Sequence, residues 1–147
     1  PMRTIFHFLL AGPVMLILLT LSILRFDSDY TASVNINWDL DLPASEDCLY
    51  ETDSGASFHG DGLRYHVLAY GAGDDIEAAL SQQSSPLTAP PGTAAEIMEE
   101  LAVPTEERPD METCRWYTSA HPTDDRNRLY LGLDADGLTL YVIESFF

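Results

Sequence analysis

The sequence predicts an α+β domain behind an N-terminal transmembrane helix, and three observations predict this class. Residues 5–24 form an uncharged run of twenty residues, about 30 Å long as a helix, which matches the hydrocarbon core of a bilayer. The rest of the chain is long enough for one core-forming domain and too short for two. Strand-like segments lie before and after two short segments with helical spacing. We therefore predict a mainly antiparallel sheet of about five or six strands with two short helices on one face.

The N-terminal run is predicted to be an uncleaved signal-anchor over residues 1–25, followed by a short stalk at 26–32 and the domain at 33–147. Its apolar core is longer than the roughly 7–15 residues of a signal peptide, and residues 23–26 offer no small-residue cleavage site. A cleaved signal peptide is the alternative. Arg3 before the run and acidic residues after it favour a single-pass orientation in the cell membrane, with the domain outside the cytoplasm.

The charge of the chain restricts its partners. There are 24 acidic residues against seven arginines and no lysine, for a net charge of −17, and every acidic residue lies beyond residue 25. Nucleic acids and anionic lipid headgroups are repelled by such a surface, so we exclude nucleic-acid binding. Two interpretations stay open: a merely solvated surface, or an acidic face for a basic protein partner or for Ca²⁺.

Three strands are predicted in the first half of the domain. The first rests on strict alternation of apolar with polar residues, with Val34, Ile36, Trp38, Leu40 and Leu42 on one face. Segments 48–53 and 63–70 are the next two strands, and they form a hairpin around a glycine-rich loop at 54–62.

Two helices and three strands are predicted after this hairpin. Capping-box patterns, Asp74 with Glu77 and Thr93 with Glu96, begin the helices, and Pro104 ends the second. Segments 113–119, 128–134 and 138–146 are predicted strands, and the Asp-Gly turn at 136–137 joins the last two.

The two cysteines, Cys48 and Cys114, are expected to form a disulfide because an exported domain folds in an oxidising compartment. A bond closing so long a loop would stabilise the domain by about 4 kcal/mol. Two buried free thiols are the alternative.

The loop at 54–62 holds the candidate site residues. As a binding site it would use Phe58, His59, Gly60, Asp61 and Gly62. His59 with Asp61 is the candidate catalytic pair, either as general base with its orienting carboxylate or as two metal ligands. The structural alternative is that Asp61 and Gly62 close the hairpin while Phe58 covers the core edge. Only two metal ligands are local, so we predict no metal site and no cofactor.

Other candidates have weaker support. His66 and His121 lack ligand spacing, so we expect a surface or hydrogen-bonded histidine and a loop residue, respectively. Asp134 and Asp136 resemble the start of a calcium loop, but the later ligands are absent, and a plain turn is expected.

Parts of the chain resemble a group of small bacterial exported or membrane-anchored proteins of unknown function. The resemblance is carried by the segment 49–53, by Gly55 with the FHGDG stretch at 58–62, and by the hairpin at 131–145. It implies an export-associated α+β domain and supplies no activity.

Our leading functional hypothesis is a non-enzymatic, membrane-anchored binding domain. One form of it is an immunity-like protein that masks a basic toxin. The alternatives are a metal-assisted or general-base hydrolase centred on His59 and Asp61, and a calcium-stabilised surface adhesion module.

Overall fold

Six strands and three α-helices make up the part of the chain that the structure, a computed structural model, describes: residues 30–55 and 61–147. In chain order the elements are α1 (Tyr30–Trp38), β1 (Asp47–Asp53), β2 (Gly62–Ala69), α2 (Ile76–Gln83), β3 (Ser85–Pro86), α3 (Gly92–Glu100), a 3₁₀ turn (Thr105–Glu107), β4 (Arg115–Ala120), β5 (Arg128–Leu133) and β6 (Thr139–Phe146).

The strands form one sheet in the order β1-β2-β6-β5-β4-β3, and every neighbouring pair is antiparallel. This confirms the predicted α+β class and the antiparallel sheet. The predicted hairpins β1–β2 and β5–β6 are both present. The last strand, β6, lies in the middle of the sheet between β2 and β5.

Helices cover both faces of this sheet, so the prediction of helices on one face is wrong. On the α1 face, α1 and α2 pack on a cluster that includes Leu68, Leu131 and Leu140. On the α3 face, α3 packs on a second cluster that includes Tyr65 and Ile143. Consecutive residues of the central strands β2 and β6 are buried, and consecutive residues of a strand face opposite sides of the sheet. Both faces of the sheet must therefore be covered by helices or loops.

The first predicted strand is a helix, α1, over most of its length. Val34 and Trp38, one helical turn apart, are both buried, whereas Ile36 is 82% exposed. Residues 34 and 38 share a face both in a strand and in a helix, so the pattern at these two positions fits either structure. Packing against the sheet selects the helix. Asp39 then takes a positive φ of 54°, and the amide of Asn35 exchanges two hydrogen bonds of 2.9 Å with the backbone of Leu42. The chain after the helix is thereby folded back onto the sheet.

Helix α1 begins at Tyr30, inside the predicted stalk, so residues 30–32 belong to the folded domain. The predicted signal-anchor, including the run 5–24, lies outside the described residues. None of the helices within residues 30–55 and 61–147 has the length and hydropathy of a membrane span.

The two later helices form where the sequence predicts them, with different caps. The N-cap of α2 is Asp75, whose carboxylate accepts a 3.0 Å hydrogen bond from Ala78 N; Asp74 instead accepts one from Gly71 N. Helix α3 begins at Gly92 after Pro91, so Thr93 lies inside the helix and does not cap it.

Cys48 and Cys114 are free thiols, and the predicted disulfide is not formed. Cys48 lies on β1 and packs against the α1 face, whereas Cys114 immediately precedes β4 and belongs to the α3 face. Four strand spacings of about 4.8 Å separate β1 from β4, or about 19 Å, and a disulfide needs Cα atoms within about 7 Å. The interposed strands exclude the bond.

Candidate functional site

The loop that carries the predicted site joins β1 to β2, and the structure describes its two ends. Phe58, His59 and Gly60 lie outside the described residues, so the catalytic pair of His59 with Asp61 stays a prediction. Asp61 is exposed, and Gly62 is the first residue of β2.

The ends of this loop are held by backbone pairing. Ser54 N donates to Leu63 O at 3.0 Å, and Leu63 N donates to Ser54 Oγ at 2.9 Å. Gly55 has a φ of +85°, which favours glycine, and its N–H donates to the Asp53 carboxylate at 2.6 Å. A Cβ on Gly62 would lie 2.9 Å from Ser54 Oγ. Both glycines therefore have structural reasons to be here.

A groove of about 430 Å³, which we call the acidic groove, opens on the α3 face beside this loop. It lies between the start of β2, the ends of β6 and β1, and one side of α3. Its lining includes three carboxylates above apolar side chains: Asp61, Glu96, Glu100, Leu63, Ile97 and Tyr130.

The charge in the acidic groove is uneven. Glu96 and Glu100 are exposed and one helical turn apart on α3, a helix without a basic residue. Arg128 also lines the groove, but its Nη1 donates to the carbonyl oxygens of Asp125 and Asn127, the latter at 2.9 Å. Nη1 of Arg128 is thus held by its own loop, and the three carboxylates outnumber this one cation in the groove lining.

A buried carboxylate, Glu144, lies at the same end of the sheet on the α1 face. It is fully buried and accepts hydrogen bonds from Trp38 Nε1, at 2.6 Å, and from the Tyr30 hydroxyl. Burial and the neighbouring carboxylate raise the pKa of Tyr30 well above its usual value, so its hydroxyl remains a donor. Glu144 therefore binds both ends of α1 to the sheet.

His66 is buried and stacked on the ring of Tyr30, which donates to this carboxylate; the ring centroids are 3.3 Å apart. Its Nε2 is 3.6 Å from a Glu51 carboxylate oxygen, and its Nδ1 is buried without a hydrogen-bond partner. Burial, with a smaller contribution from Arg64, lowers the pKa of His66 to about 4. His66 shares a face with Leu68 and Tyr70 as predicted, but it is a core histidine and not a surface one.

The other predicted candidates have structural roles. His121 is a loop residue, as expected; its Nδ1 contacts the N–H and hydroxyl of Thr123, and its ring packs in a T-shaped arrangement with Trp38, with ring centroids 5.5 Å apart. Asp134 accepts backbone hydrogen bonds of 3.0 and 3.1 Å from Gly137 and Leu138, so its carboxylate closes the predicted turn. Among the described residues, no three His, Cys, Asp or Glu side chains are placed to hold a metal ion.

Sequence reasoning missed both the Glu144 cluster and the two groove carboxylates on α3. The sequence pattern places Tyr30 in the stalk and Trp38 in a strand. The sequence contains one signal for the role of Glu144, because this residue is the single carboxylate in the apolar run of β6. A charge in such a strand is buried only when other groups bind it. Glu96 was interpreted only as part of a capping box.

No protein-family model, no curated protein and no solved structure matches this chain.

Proposed function

We propose that this protein is a membrane-anchored, extracytoplasmic binding domain that recognises a basic segment of a partner protein. The observation that carries the proposal is the acidic groove, in which Asp61, Glu96 and Glu100 stand above an apolar floor. The run at 5–24 would hold the domain at the membrane, as its length and lack of charge suggest.

The shape and charge of the groove favour lysine and arginine side chains as its occupants. These side chains combine an apolar stem with a cationic head, and they commonly bury the stem while the head stays near solvent. Leu63, Ile97 and Tyr130 would contact the stem, and Glu96 and Glu100 would attract the head. The net charge of −17 adds long-range attraction for a basic protein.

A basic protein is favoured over other classes of ligand for two reasons. Anionic polymers are repelled by the surface as a whole, and a small neutral ligand would make no use of three carboxylates around one groove. An immunity-like role, in which the domain masks a basic toxin, is the specific form of this proposal.

The proposal is tested with the full chain in micelles of a neutral detergent. The probe is a fluorescent peptide of alternating lysine and valine, and its binding is followed by anisotropy. The double variant Glu96→Gln, Glu100→Gln should bind this probe roughly tenfold more weakly, since two exposed ion pairs contribute about 1–2 kcal/mol together. Affinity should also fall as salt is raised.

The matched control is Glu99→Gln, which removes an exposed carboxylate from the same helix outside the groove lining. It should leave the affinity within twofold of the unmodified protein. If the control weakens binding as much as the double variant, the acidic surface attracts the probe without a site, and the proposal fails.

A further inference from the structure

The sheet has one long open edge, formed by β1. In the order of strands, β1 is first and pairs only with β2, so its outer side has no strand partner among the described residues. The opposite edge, β3, consists of two residues, and the second is Pro86. Proline and short length are ordinary ways to close an edge to further strands, and β1 has neither.

The pairing with β2 shows which backbone groups of β1 face outward. The hydrogen bond from Ser54 N to Leu63 O shows that the backbone groups of Ser54 point toward β2, and this fixes the direction of the groups before it in β1. Because inward and outward groups alternate along a strand, the N–H and C=O groups of Thr52 point toward β2, and those of Glu51 and Asp53 point away from it. A β-bulge between Cys48 and Tyr50 limits the regular edge to Tyr50–Asp53.

We propose that this edge of β1 binds an extended, basic segment of the partner as an added seventh strand of the sheet. This inference rests on the proposed function and names the form in which the partner binds. The backbone groups of Glu51 and Asp53 would supply main-chain hydrogen bonds, and side chains would supply the choice of partner.

Charge selects a basic strand over a second copy of the chain. The exposed side chains of β1 include three carboxylates, Asp47, Glu51 and Asp53, and the side chain of Glu51 is 74% exposed. A second β1 strand would place carboxylates close to these, and like charges on neighbouring strands are destabilising. Lysine or arginine at alternate positions would convert the same contacts to attraction.

The edge is continuous with the acidic groove. Ser54 directly follows β1 and lines the groove together with Asp61 and Leu63. A segment paired along Tyr50–Asp53 would therefore end beside Ser54, a residue of the groove lining. One extended basic segment would occupy both surfaces.

The test compares two peptides on the full chain in neutral detergent micelles. Both are fluorescent octapeptides of alternating lysine and valine, and the second carries an N-methyl group on every backbone amide nitrogen, so that both of its edges are blocked. The two have the same charge, but only the first can pair as a strand. The methylated peptide should bind at least tenfold more weakly, and the first peptide should slow hydrogen exchange at the amides of Glu51 and Asp53.

Two variants separate the backbone from the side-chain charge. Glu51→Pro removes an outward N–H and should weaken binding of the first peptide roughly tenfold, with little change for the methylated peptide. Glu51→Gln keeps that N–H, so it should weaken binding of the first peptide only slightly and leave the methylated peptide nearly unchanged.

Equal affinity for the two peptides on the unmodified protein would overturn the added strand, whether or not Glu51→Pro folds. If the double variant Glu96→Gln, Glu100→Gln still weakens both peptides in that case, the acidic groove stands as a binding site and only the edge is excluded. If neither peptide binds, the proposed function fails and the added strand fails with it.

Discussion

Replacing Tyr30 by phenylalanine tests whether the buried carboxylate Glu144 holds helix α1 in place. The substitution removes one hydroxyl and keeps the ring that stacks on His66. The lost hydrogen bond has a carboxylate as its acceptor, and such bonds contribute about 1.5–3 kcal/mol. Glu144 retains its bond from Trp38 Nε1, so we expect a loss of about 2 kcal/mol, a roughly 30-fold rise in the unfolding constant.

The loss of stability in Tyr30→Phe should appear first in helix α1. The helix has nine residues, includes several β-branched and asparagine side chains, and is too short to be stable alone in water. Its contacts with the sheet must therefore stabilise it. Hydrogen exchange at the amides of α1 should accelerate in Tyr30→Phe before exchange in β2 and β6 changes.

Urea unfolding of the full chain in neutral detergent, followed by tryptophan fluorescence, gives the free energy. The control is Tyr130→Phe, which removes a hydroxyl on the opposite face of the sheet. A double-mutant cycle of Tyr30→Phe with Glu144→Gln should give a coupling of at least about 1 kcal/mol. A coupling under about 0.5 kcal/mol, with Tyr30→Phe no less stable than the control, would refute this account of α1.

Three further predictions concern the core. Gly132→Ala should destabilise the domain by about 1–3 kcal/mol in urea unfolding, because a Cβ there would lie 2.9 Å from the buried ring of Trp116; Gly73→Ala, with open space around it, should cost far less. The part of the stability that depends on His66 should be complete above pH 6.5 and should fall by about 3 kcal/mol toward pH 4, because folding favours the neutral form of His66; His66→Phe should remove that part of the pH dependence. Both cysteines should react with a thiol reagent in denaturant without prior reduction, whereas in the folded protein burial raises the pKa of Cys114 to about 11 and should slow its alkylation at pH 8.

The two hairpins of the sheet could be predicted because the residues that define each hairpin lie close together in the sequence. The Asp-Gly turn at 136–137 and the alternating apolar residues on either side define the β5–β6 hairpin, and the structure pairs Leu133 with Leu140 across it. The glycine-rich break at 54–62 similarly separates the two strands of the first hairpin.

The errors arose where distant parts of the chain decide the outcome. The segment 34–38 fits both a strand and a helix, and the contact of Trp38 with Glu144, 106 residues away, favours the helix. The disulfide prediction rests on an oxidising compartment and on the presence of two cysteines. Neither observation gives the strand order that separates Cys48 from Cys114. The groove carboxylates were missed because Glu96 and Glu100 meet Asp61 only through the packing of α3 on the sheet.

The central place of β6 has a consequence for how the chain folds. It follows the other five described strands in chain order, and it joins β2 on one side to β5 on the other. Until it is present, the strands form two separate groups, β1–β2 and β3–β4–β5, neither of which has a complete core. Tyr30 pairs with Glu144 across 114 residues, so the contacts that complete the sheet close very long loops. We therefore expect slow, cooperative folding that begins only after β6 has been synthesised, and a chain cut before residue 139 should not fold.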